Sequence, residues 1–216
     1  MTILIASVSQ FISMFISLFV IIDPFAVVPV YLSITEKLSR EEQKNVCRKA
    51  GIVSSAVLIV FVFTGISLFN LFGISLPAFQ IAGGLLLLIL GISQLNATRK
   101  RVQPEETMES MEKEDISIFP LATPLIAGPG AISTVVLQSS QLTRTYQLFT
   151  LGFAVLAAVF STYLILRFAT HLFRFLGKTG LNLLTRIMGI LLTAIAVQFI
   201  INGLTEVVRT FLHASP

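Results

Sequence analysis

Ile22-Asp23-Pro24-Phe25-Ala26-Val27-Val28-Pro29 sets a carboxylate and two prolines inside a stretch otherwise apolar enough to cross a bilayer. One hundred residues on, Ala122-Thr123-Pro124-Leu125-Ile126-Ala127-Gly128-Pro129-Gly130 repeats it: a short capping residue, Pro, four residues, Pro. A proline in a helix interior removes a backbone hydrogen bond and clashes with the preceding turn. Water relieves this in a soluble protein, whereas in lipid the freed groups must face protein or a wet cavity. The two stretches therefore read as paired breaks in membrane helices.

The surrounding composition fits that reading. The chain has 216 residues, 55% hydrophobic and 12% charged, with a mean hydropathy of +0.89. Soluble domains average roughly 25% charged residues, so this is an integral membrane protein. Uncharged runs cover 1–22, 50–98, 116–143, 145–166 and 187–205, and a helical span takes about 20 residues. The 50–98 run holds two, turning at Phe72-Gly73-Ile74-Ser75-Leu76-Pro77, where Gly ends one helix and Pro opens the next. The expectation is an all-α protein of six spans with spans 1 and 4 broken: Ser7 to Leu32, Arg40 to Leu71, Pro77 to Asn96, Ser117 to Gln141, Tyr146 to Phe175 and Asn182 to Phe211. Ser39-Arg40-Glu41-Glu42 has the spacing of a capping box at the head of span 2. Gly177-Lys178-Thr179-Gly180 separates spans 5 and 6.

Of the 15 Lys and Arg, all but Arg144 and Arg209 lie in or beside the loops after spans 1, 3 and 5. The positive-inside rule makes that side cytoplasmic and puts both termini outside. Three spans per half is odd, so repeated halves must be inverted. Gly84 in Ala82-Gly83-Gly84 of span 3 and Gly189 in Arg186-Ile187-Met188-Gly189 of span 6 also correspond. The division is 1–98 as a first three-helix repeat, 99–116 as a charged cytoplasmic linker, and 117–216 as a second, inverted repeat.

The breaks are the candidate site. Asp23 before Pro24, and Thr123 before Pro124, each place a capping residue ahead of a proline at the first helical position, while Pro29 and Pro129-Gly130 can open further helices. Half-helix N-termini suit an anion, and unwound carbonyls or Asp23 suit an ammonium group, so the pattern fits a small zwitterionic amino acid. Ala26, Ala127, Gly128, Gly130 and Ala131 leave room only for a small substrate side chain. Asp23 is the one acid well inside a span. It is a substrate contact, a proton carrier or simply a helix cap. Gly83, Gly84 and Gly189 read as helix contacts. Gln198, Asn202 and Glu206 form a polar stripe on span 6, serving either an exit path or interhelical bonding. Arg167, His171 and Arg174 share one face at the end of span 5, where contact with anionic lipid is the default.

Other chemistries are less well served. Cys47 is the only cysteine, which removes thiol-pair chemistry. A hydrolase needs a nucleophile or a carboxylate pair, so no enzyme, metal or cofactor is expected. The basic charge serves topology and implies no nucleic acid. A channel for small solutes and a non-transporting scaffold stay open as alternatives.

Both break motifs, the second extended from Pro120 through Thr134, resemble the MarC family of bacterial inner-membrane proteins, and the likeness covers nearly the whole chain. Ala82-Gly83-Gly84 and the stretch from Arg186-Ile187-Met188-Gly189 to Ala196-Val197-Gln198-Phe199-Ile200 add to it. The resemblance implies a multi-pass inner-membrane transporter of small neutral amino acids such as glycine and alanine. The chain departs from the family pattern in carrying Ala26 and Val27 after Phe25, where members usually have Gly and then Asn or Ala.

Overall fold

A computed structural model describes residues 2–95, 115–142 and 144–213. All regular structure there is helical: α1 (Thr2–Ile22), α2 (Pro24–Ile34), α3 (Arg40–Phe72), α4 (Leu76–Leu95), α5 (Ser117–Ile126), α6 (Pro129–Ser140), α7 (Thr145–Arg167) and α8 (Ala169–His213). Four helices are long and apolar enough to span a bilayer alone. The pairs α1–α2 and α5–α6 qualify together across bends of 41° and 54°. Counting each bent pair once gives six spans, with spans 1 and 4 broken. The greater part of the linker expected over 99–116 lies outside the described residues.

Local chemistry sets the helix ends. The Ser39 backbone N–H donates to the Glu42 carboxylate at 2.8 Å and the Glu42 N–H to the Ser39 hydroxyl at 3.3 Å, the reciprocal bonds of a capping box. Gly73, at φ +65, ends α3 in the left-handed region. One boundary differs from expectation. Span 5 stops at Arg167, and residues 169–176 form a separate helical stretch before Gly177, at φ 63 and ψ −177, interrupts α8. The apolar pattern continues through Phe173 and Phe175, so hydropathy alone could not mark that stop.

The packing pairs corresponding spans of the two halves in antiparallel fashion. Gly84 lies against Ala196 and Ile200, Gly91 against Gly189 and Thr193, and Gly203 against Pro77 and Ile81. Numbers rise along α4 as they fall along α8, so the equivalent third spans run antiparallel along the most extensive interface of the molecule. Spans 2 and 5 do the same: Gly51 of α3 faces Tyr163 of α7, and Gly152 of α7 faces Ile59 of α3. Two further sets of interfaces correspond between the halves. Span 1 packs on α7 as span 4 packs on α3, and α8 touches α1 and α2 as α4 touches α6. Gly84 and Gly189 are helix contacts, as expected. A Cβ on Gly84 would lie 2.8 Å from the Ala196 carbonyl oxygen, and one on Gly189 would lie 3.1 Å from that of Gly91.

Candidate functional site

Asp23 ends α1 and starts α2. Its backbone sits in the left-handed region at φ 48 and ψ 67, which Asp tolerates better than most side chains. Its Oδ1 accepts from the Ala26 N–H at 3.2 Å, with Pro24 at the first helical position. The capping role is thus present. The carboxylate is 3% exposed. Pro24 is buried with it, and Ala26 and Pro29 are half-buried.

The two motifs share their spacing but not their break point. The first helix opens at Pro24 and runs through Pro29 to Ile34, so Pro29 does not start a helix. In the second motif the helix opens at Pro129, where extended Gly128 (φ −80, ψ 172) stands at the cap position with no capping side chain. Upstream, α5 is interrupted by extended backbone at Phe119 (φ −124, ψ 127) and Thr123 (φ −128, ψ 127). Each precedes a proline, which disfavours the helical region for the residue before it. Thr123 is not the cap the sequence suggested: its hydroxyl donates to the Ile118 carbonyl at 3.3 Å.

The tertiary fold brings the two breaks together. The α1–α2 pair packs directly on α5–α6. Gly130 lies where an added Cβ would be 3.3 Å from Ile21 and 2.5 Å from Leu87, so the second break is seated beside Asp23 against α1 and α4. Ala127, Gly128, Gly130 and Ala131 are buried at this seam. Thr123 is half-buried, while Pro124 and Pro129 turn outward and do not line it. Buried polar groups gather around the seam: Thr134 donates to the Gly130 carbonyl at 2.9 Å, and Ser133 packs against Gly83. A groove of about 1070 Å³ lies elsewhere, along α7, and no break residue lines it.

Ser54 is the residue sequence reading missed. Fully buried on α3, its hydroxyl reaches the Ala50 carbonyl at 2.7 Å and, at 3.4 Å, the Ala122 carbonyl at the second break. The Ala122 carbonyl already accepts the Ala127 N–H at 2.8 Å, so Ser54 adds a second, side-chain partner from α3 to the backbone at the interruption. The signal was Ala50-x-x-x-Ser54, matched in the other half by Ala158-x-x-x-Thr162, whose hydroxyl donates to the Ala158 carbonyl at 2.9 Å. The polar stripe on span 6 holds one internal bond, Gln198 to Asn202 at 2.8 Å, on an exposed face.

Comparison with known proteins is decisive for the family. The sequence matches the description "MarC family integral membrane protein" over residues 8–208. This chain belongs to the MarC family. It is similar to a UPF0056 membrane protein of Aquifex aeolicus, 36% identical over 92% of this chain and 94% of the relative. Likeness extends to one of Methanocaldococcus jannaschii, 38% identical over 90% and 95%. The UPF0056 membrane protein YvbG of Bacillus subtilis is 37% identical over 91% and 94%. No solved structure matches the chain. It is therefore a multi-pass integral membrane protein of the MarC family, with its two proline-broken spans packed on one another.

Proposed function

We propose that this MarC-family chain is a secondary transporter of small neutral amino acids such as glycine and alanine. The carrying observation is the contact between the two breaks, with Gly130 against Ile21 beside buried Asp23. The two helix starts differ in a way that suits a zwitterion. At α2 the start already holds a carboxylate, Asp23, which favours a substrate ammonium group. At α6 no side chain caps the helix, and its N-terminus favours a carboxylate. Small residues at 127, 128, 130 and 131 limit the substrate side chain.

Burial of the seam supports alternating access rather than an open channel: solute reaches Asp23 only when the spans part. A proton is the coupling ion in this reading, carried at Asp23, and no covalent chemistry is involved. The protein sits in the inner membrane with both termini outside, following the placement of its basic residues.

The test is counterflow of labelled glycine, alanine, leucine and lysine into liposomes holding purified protein, native or Asp23→Asn. Saturable exchange of glycine and alanine is expected, with uphill uptake lost in Asp23→Asn. Movement without saturation or counterflow indicates a channel. If none of the four moves, the amino-acid reading fails.

A further inference from the structure

We propose that the groove along α7 is a binding site for one anionic phospholipid, with the headgroup on Arg48 and Arg167 and an acyl chain laid along the helix. The groove, of about 1070 Å³, is lined along α7 from Tyr163 through Phe160 and Phe153 to Thr150, with Gly51 of α3 and Phe11 of α1 at its sides. Its lining is mostly apolar, with the hydroxyls of Ser55 and Thr150 along it and a single charged residue, Arg48, at one end. The stretch from Thr150 to Tyr163 extends about 20 Å at 1.5 Å per residue, more than one leaflet of a hydrocarbon core about 30 Å thick. An acyl chain fits that length.

The cationic end is built from two helices that meet at Tyr163. Its ring lines the groove, and its hydroxyl accepts from an Arg167 guanidinium nitrogen at 2.7 Å. Arg167 thus stands beside the same end as Arg48. The Cys47 thiol donates to the Tyr163 carbonyl at 3.6 Å and fixes α3 to α7 there. Both arginines are exposed, and the ion pairs among the described residues, Lys44 with Glu41 and Lys49 with Asp115, involve neither. Two guanidiniums that no ion pair among the described residues engages, at the mouth of an apolar trough, favour a headgroup of net negative charge over one of zero net charge.

Gly51 keeps the trough open. A Cβ there would find only ordinary contacts, 3.8 Å to Tyr163 and 4.0 Å to Val159, so a side chain can begin at the wall of the groove without a close clash.

The experiment is native mass spectrometry of the purified full chain with equal amounts of phosphatidylglycerol and phosphatidylcholine of identical acyl chains. The wild-type chain is expected to retain phosphatidylglycerol about 10-fold more than phosphatidylcholine. Arg48→Gln with Arg167→Gln is expected to bring the ratio within about 2-fold, while Arg209→Gln, on the opposite side, preserves it. Gly51→Leu is expected to lower retention of both lipids at unchanged thermal stability. Equal retention of the two lipids by the wild-type chain overturns the proposal whether or not the variants fold. A ratio unaltered in the double variant overturns it too.

Discussion

The first break turns on a carboxylate and the second on glycines, although both have prolines five residues apart. At Asp23 one side chain does the work: it accepts a helix-start N–H while its backbone takes the left-handed conformation. At Gly128 the backbone is extended, the cap position has no capping side chain, and the missing Cβ is what permits the close approach. Identical spacing therefore does not give identical geometry. What decides is which residue near each proline can leave the helical region, Asp in one repeat and Gly in the other. The first repeat supplies charge to the seam, and the second supplies close backbone.

Substitutions can break or sharpen that contrast. The largest effect is expected at Gly128→Ala, whose new methyl would stand 2.3 Å from the Pro124 carbonyl oxygen, a backbone atom that cannot swing aside. A loss of about 3 kcal/mol or of folded yield is expected, from overpacking at the upper end of its usual range. Val30→Leu, at the half-buried position matching Gly130, is expected to cost less than about 1 kcal/mol. Heating followed by fluorescence-detected size exclusion measures both, and equal losses would erase the contrast.

Next is Asp23→Ala, which forfeits the cap, worth about 1 kcal/mol, and places alanine in the left-handed region at about 1 kcal/mol more. Asp23→Asn keeps both abilities and most of the stability, whereas Thr123→Ala is expected to cost less than either component, since Thr123 caps nothing. If Thr123→Ala matches Asp23→Ala, the two breaks are alike after all.

Ser54→Ala is expected to cost about 1 kcal/mol, because a buried hydroxyl that links α3 to the second break is lost, although the Ala122 carbonyl keeps the Ala127 N–H. Thr162→Ala should cost less, its hydroxyl bonding only within its own helix. Smallest is Lys49→Gln. Lys49 donates to Asp115 at 2.6 Å and, with Ser117, holds that carboxyl down at about 2. A depressed carboxyl pKa contributes stability above the ordinary value of about 3.9, lost as pH falls towards 2. This pair is therefore expected to add nothing to pH dependence between about 5 and 8, and, being at the surface, to be worth about 0–1 kcal/mol. Thermal stability of native and Lys49→Gln protein, followed from pH 7 down to 3, checks it: the gap between the two curves should hold constant above pH 5 and narrow below about pH 4.

Much of this was legible in the residues. Uncharged runs and Lys/Arg-rich loops gave six spans, and Ser39 with Glu42 gave the head of span 2 to the residue, because these are local signals. The site was legible in location, less so in geometry. Thr123 reads as a cap in sequence because its type permits capping, yet the proline after it forces extended backbone and its hydroxyl finds Ile118 instead. Pro29 reads as a helix start, but α2 already has Asp23 as its cap and continues past it. Ser54 was passed over because its partner lies 68 residues away.

By itself the sequence determined a six-span, all-helical membrane chain, broken twice at proline motifs one hundred residues apart, since apolar length and proline chemistry act over a few turns. Only the tertiary structure decided which proline in each motif opens a helix, that the two breaks touch, and that Pro124 and Pro129 face away from the seam. Those outcomes depend on the antiparallel packing of α4 on α8 and α3 on α7, which fixes the halves upside down against one another. In an apolar interior each freed backbone group must then find whatever partner that packing delivers.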